Sequence, residues 1–131
     1  MAVIKLDERP AVWFDYPAGG RVLLRPPMPE KLREIRKMTT TKKADIRKVD
    51  GVYQRFAYDE TDDDLQNELL WDHIIADWEG MTDDKGDAVP CTKENKIRAM
   101  NRDKEFNGFF NVTLAALIAL DSEQLEASEK N

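Results

Sequence analysis

The chain has very little cysteine and histidine. It holds one cysteine, Cys91, and one histidine, His73, in 131 residues. A lone cysteine excludes an intramolecular disulfide and suits a reducing compartment. A lone histidine leaves a metal site short, because a stable site takes three or four ligands. No apolar run spans a bilayer with ease: the longest, from Phe109 to Leu120, is broken by Asn111 and Thr113. The opening MAVIKLDERP lacks the apolar core of a secretory signal, so a cytoplasmic protein is expected. GxSxG, Walker, dinucleotide-fingerprint and CxxC patterns are all missing. What is abundant is charge, 35% of residues against 41% hydrophobic, which implies a modest core under a solvated surface. A formal net charge of -6 argues against general affinity for nucleic acid, since phosphate binding depends on local positive charge.

The first third reads as strands. Val12–Tyr16 and Arg21–Arg25 are β-branched and aromatic runs on either side of Pro17-Ala18-Gly19-Gly20, a hairpin signal. Pro26, Pro27 and Pro29 stop the second run. Leu32, Ile35 and Met38 predict a short amphipathic helix over Glu30–Met38, and the Thr39–Lys43 run predicts a loop. Val49–Tyr58 reads as a strand or part of a turn, with Asp50-Gly51 as the turn signal. Thr61–Asp64 then caps a helix expected to run through Leu70, Ile74 and Trp78 and to end at Gly80. Asp84–Asp87 is a turn between short extended arms, and Thr92 caps a helix over Lys93–Asn101. A longer helix follows from about Asp103 through Leu120. The fold class is therefore α+β: an N-terminal β-hairpin or small antiparallel sheet, then a helical part interrupted by a short hairpin. One domain is expected over 1–121, β-rich over 1–28 and mainly helical over 29–121, with a mobile tail at 122–131.

Each candidate for chemistry has a plainer reading. His73 and Asp77 lie four apart on the expected helix, a spacing that could share a metal, but further histidine ligands are missing. Asp62, Asp63 and Asp64 complement the start of a helix. The loop Asp83–Asp87 fails as a calcium loop: with Gly86 at the sixth position, Met81 and Lys85 would fall at ligand positions and Thr92 would replace the closing glutamate. Cys91 has no base near it in sequence. The basic segment 31–48, with Lys31, Arg33, Arg36, Lys37, Lys42 and Lys43, is the one nucleic-acid hint, and it lacks interleaved aromatics for stacking.

Trp78-Glu79-Gly80-Met81, the turn Asp84-Lys85-Gly86-Asp87, Val89-Pro90-Cys91-Thr92 and Glu94-Asn95 together resemble the tail assembly chaperones of bacteriophages and prophages. The β-rich start at Val12–Arg25 is similar to that family as well, while the basic Thr/Lys stretch lies outside the resemblance. The likeness implies a non-catalytic protein of the bacterial host cytoplasm, absent from the mature virion. It implies a tape measure protein as the partner kept soluble during tail assembly, with tail tube proteins as further candidates. No cofactor, metal or membrane is expected. The crowding of Trp71, Trp78, Phe109 and Phe110 marks them as the expected partner-binding residues. The alternative is a small nucleic-acid-binding regulator using segment 31–48.

Overall fold

A computed structural model describes residues 2–4, 6 and 9–129, with the side chains of 122–129 left out of the description. The protein is α+β, as its sequence predicts. It divides into two compact units, one made of Met1–Met28 and Trp71–Asn131, the other of Pro29–Leu70.

In the first unit, β1 (Val12–Asp15) and β2 (Arg21–Leu24) form the expected hairpin. Tyr16 and Gly20 close its loop, with Tyr16 N–H donating to the Gly20 carbonyl at 3.0 Å. The third strand of the sheet is β5 (Ile75–Glu79), antiparallel to β2 on the side away from β1. This corrects the expected helix: α2 (Asp63–Ile74) stops at Ile74 and the chain becomes extended there. Central strand β2 buries Val22 and Leu24, and without β5 one of its edges would have no backbone partner.

After β5 the chain makes the short hairpin expected around Asp84–Asp87. Thr82 bridges Ala88, and Val89 N–H donates to the Met81 carbonyl at 2.9 Å. The indole N–H of Trp78 donates to the Val89 carbonyl at 2.7 Å and ties this hairpin to the sheet. Helix α3 (Lys93–Arg102) starts where Thr92 accepts a bond from the Asn95 N–H at 3.2 Å. Helix α4 (Lys104–Glu129) starts at Asp103, whose carboxylate accepts from the N–H groups of Glu105 and Phe106. The tail expected to be mobile, 122–131, has its side chains outside the described part, and 130–131 lie outside it altogether. The core of the unit joins Val22 and Leu24 of β2 to Ile74, Ile75 and Trp78. Met100 of α3 and Phe106, Phe110 and Leu117 of α4 complete it. Each such side chain contributes about 1.5–3 kcal/mol by leaving water.

In the second unit, α1 (Pro29–Thr39) matches the predicted helix within a residue at each end. The segment after it is not the expected loop. Strands β3 (Thr40–Val49) and β4 (Val52–Thr61) pair along ten residues each in a two-stranded ribbon. The turn is Asp50-Gly51, with φ of 53° and 80°, the double left-handed geometry of a type I′ hairpin. At the base, Asp62 N–H donates to the Thr39 carbonyl at 2.8 Å, and Asp62 in turn caps α2 through the Leu65 N–H.

Candidate functional site

Two surfaces, one in each unit, are shaped for contact. The first is a cleft of about 780 Å³ in the first unit. Its floor is apolar: Tyr16, Trp78, Met81, Val89, Ala99 and Phe106. Its rim carries charges of both signs, among them Asp83, Asp84, Arg98, Arg102 and Glu105. The floor is fixed by aromatic packing. Tyr16 lies edge-on to Phe109 at 5.0 Å and tilted to Phe106 at 5.9 Å, and Trp78 meets Phe106 edge-on at 5.7 Å. Burial, then the nearby Asp103 and Glu105 carboxylates, push the Tyr16 hydroxyl above its ordinary pKa, so it stays a neutral donor.

The second surface is the ribbon, all of whose β4 residues are exposed. Ile46 and Tyr53 remain 72% and 73% exposed, far more than an apolar side chain in a sheet with a covered face. The register puts Lys42, Ile46, Lys48, Tyr53, Arg55 and Asp59 on one face and Lys43, Arg47, Val49, Val52, Phe56 and Tyr58 on the other. Lys48 stands over the Tyr53 ring and Arg47 over Phe56. Lys43 pairs with Glu60, and that hydrogen bond raises the lysine pKa.

Of the four aromatic residues expected to bind a partner, Trp78 and Phe110 are core residues, 7% and 4% exposed. Trp71 and Phe109 are partly buried and pack against the same core. All four belong to this core or pack against it, and Trp78 also lines the cleft. The cleft residues come from three separate places, Tyr16 from the β1–β2 loop, Met81 and Val89 from the hairpin after β5 and Ala99 from α3, and no spacing in the sequence unites them.

The expected pairing of His73 and Asp77 on one helix face does not form. His73 is in the last turn of α2, whereas Asp77 is in β5 and accepts a bond from the Trp78 N–H. Asp62 is a cap. The Asp83 carboxylate accepts from the Lys85 and Asp87 N–H groups and shapes its own turn. Burial pushes the Cys91 thiol up, and Lys96 offsets this only in part. Among the described residues, no group of three or more His, Cys, Asp or Glu could hold a metal ion, and no helix is long and apolar enough to cross a membrane.

A residue that sequence inspection passed over is Lys96. Its side chain is 9% exposed, and its ammonium donates to the Asp72 carbonyl and carboxylate, both at 3.2 Å. Lys96 lies one turn before the buried Met100 on α3, so its stem is buried on the same face while its ammonium reaches Asp72.

The class of protein defined so far is a small α+β protein with a cleft of apolar floor and charged rim and an exposed two-stranded ribbon. The family model described as YdaY prophage protein matches residues 25–131, and the chain belongs to that family. It is a prophage protein. The match begins at Arg25, just after β2, and includes the whole ribbon and all four helices. Neither the curated proteins nor the solved structures contain a match to the chain.

Proposed function

We propose that the chain is a non-catalytic tail assembly chaperone that covers apolar helical stripes of a tape measure protein. The observation that carries this reading is the cleft over Tyr16, Trp78, Met81, Val89 and Ala99. It is an open groove within the roughly 300–1,000 Å³ range of ligand pockets, and its apolar floor suits side chains projecting at i and i+4 from a partner helix. Its rim of mixed charge fits a contact that must be specific yet displaceable as tube subunits arrive. The resemblance of the segment Trp78–Asn95 to tail assembly chaperones, and membership of a prophage family, agree with this reading.

The test is co-expression with a fragment of the tape measure protein of the same prophage. The expected result is a soluble fragment that co-purifies with the chain. A fragment that stays insoluble and is not retained would remove the reading.

The ribbon favours one other reading, a nucleic-acid contact. One face presents Lys42, Lys48 and Arg55 against Asp59, and a basic two-stranded ribbon is a shape that can enter a DNA groove. Retention of duplex DNA at low salt that falls steeply as salt is added would favour it over the chaperone reading.

A further inference from the structure

The ribbon is an incomplete sheet. A two-stranded hairpin is marginally stable in water, and three or more strands with a covered face are the usual remedy. Here ten residue pairs stand with β4 exposed along its whole length. The two free edges differ. β3 carries Lys42, Lys43, Arg47 and Lys48 against Asp45, and such single-sign charge guards an edge against pairing. β4 reads VYQRFAYDET: rich in strand formers, with one cation in its first half and two acids in its second.

The turn fixes which backbone groups face outward. In a two-residue hairpin the closing pair, Val49 and Val52, exchanges its hydrogen bonds. Alternate residues Tyr53, Arg55, Ala57 and Asp59 therefore aim their N–H and C=O groups at the free edge of β4. Two copies of β4 can pair antiparallel about a two-fold axis only if outward residues meet outward residues, so the axis must pass through a residue. Centred on Arg55, the pairing sets guanidinium against guanidinium. Centred on Phe56, it sets Arg55 against Ala57 and Asp59 against Tyr53. Centred on Tyr58, it sets Phe56 against Glu60. Centred on Ala57, it sets Arg55 against Asp59 twice, Phe56 against Tyr58 twice and Gln54 against Glu60 twice. Opposite charges and aromatic pairs directly across a strand pair are the stabilising cases. Among the described residues neither Arg55 nor Asp59 makes an ion pair of its own.

We infer that β4 is a homodimer edge, at which two copies of this chain pair about Ala57 into a continuous four-stranded antiparallel sheet. The two-fold axis is normal to that sheet. The faces bearing Val52, Phe56 and Tyr58 of the two copies are then continuous, which turns two narrow ribbons into one broader face. The inference goes beyond the chaperone reading and does not rest on it, because its readout is the mass of the isolated chain.

Two charge variants test it. Arg55→Asp puts acids at both positions, and Asp59→Arg puts cations at both. The expected result by light scattering is a wild-type mass of twice 15.1 kDa, a halved mass for each variant alone, and recovery of the doubled mass when the two are mixed in equal amounts. An independent measure is the chain carrying Ala57→Cys and Cys91→Ala. Opposed residues in a hydrogen-bonded antiparallel pair lie about 5.5 Å apart at Cα, within reach of a short bis-maleimide cross-linker. A short bis-maleimide should link this variant into dimers, whether or not either charge variant folds. A wild-type chain that stays monomeric at several hundred micromolar overturns the inference. So does a dimer that both charge variants leave intact, or a mixture of well-folded variants that stays monomeric. An Ala57→Cys chain that fails to cross-link overturns it as well.

Discussion

Gly20 and Gly80 are where backbone meets backbone in the first unit. A Cβ built on Gly80 would lie 2.9 Å from the Gly20 Cα, and Gly80 has φ of 72°. Both facts forbid a side chain, so Gly80→Ala should cost about 1–3 kcal/mol in urea unfolding. The sequence marked Gly80 as a left-handed residue at the end of an element. It could not show that the element was a strand or that another glycine lay against it. Beside this contact, Arg21 crosses from β2 to β5, donates to Glu79 at 2.7 Å and covers the Trp13 ring at 4.0 Å. The Arg21 hydrogen bond holds the Glu79 carboxyl below its ordinary pKa. The folded value is below the unfolded one, so this pair's support is present above the unfolded carboxylate pKa and is lost as pH falls through the lowered folded value. A carbon NMR titration of Glu79 should show a midpoint below that of a free glutamate side chain. In Arg21→Ala the midpoint should move back up.

The elements that escaped the sequence did so for different reasons. β5 was hidden by its own bulge. Leu23 pairs with Asp77 but Leu24 pairs with Ile75, so Ala76 is an extra residue in the ladder. Ile75 and Trp78 therefore face the core three residues apart, a spacing that belongs to a helix rather than to a period-two strand. The ribbon was legible only in part: Val49–Tyr58 reads as a strand or part of a turn and matches most of β4, but β3, with no core to alternate against, shows no alternation of apolar and polar residues. Its turn, Asp50-Gly51, was legible because a type I′ turn needs those residues wherever it occurs. The two elements should respond differently to substitution. Ile75→Ala empties a fully buried position and should cost about 2–5 kcal/mol. Ile46→Ser in the ribbon should change stability by no more than about 0.5 kcal/mol. Denaturant midpoints of the two variants check both values.

At the scale of the molecule, the cleft decides what a partner would meet. Ala99 lines it from α3 and is only partly buried, so a longer side chain there can extend into the groove without displacing the core. Ala99→Arg should leave the circular dichroism unchanged and abolish co-purification of a tape measure fragment. Retention as strong as wild type would move the contact away from the cleft. Contiguous helix starts at Thr92 and Asp103, the proline stop after β2 and the Gly19-Gly20 hairpin were legible, because each is set by local hydrogen bonding. The cleft was not, because Tyr16, Ala99 and the hairpin that carries Met81 and Val89 are neighbours only after the sheet has closed on α3 and α4.

What the sequence by itself determined is the α+β class, the first hairpin, the caps of α3 and α4 and the scarcity of cysteine and histidine. These follow from residue identity and from contacts a few positions apart. Tertiary structure alone decided that Ile75–Glu79 is a strand, that Trp78 and Phe110 are buried in the core, and that Lys96 is buried against Asp72. Each of those outcomes depends on an element distant in the chain supplying a hydrogen-bonding edge, an apolar neighbour or an opposite charge, and no local pattern carries that information.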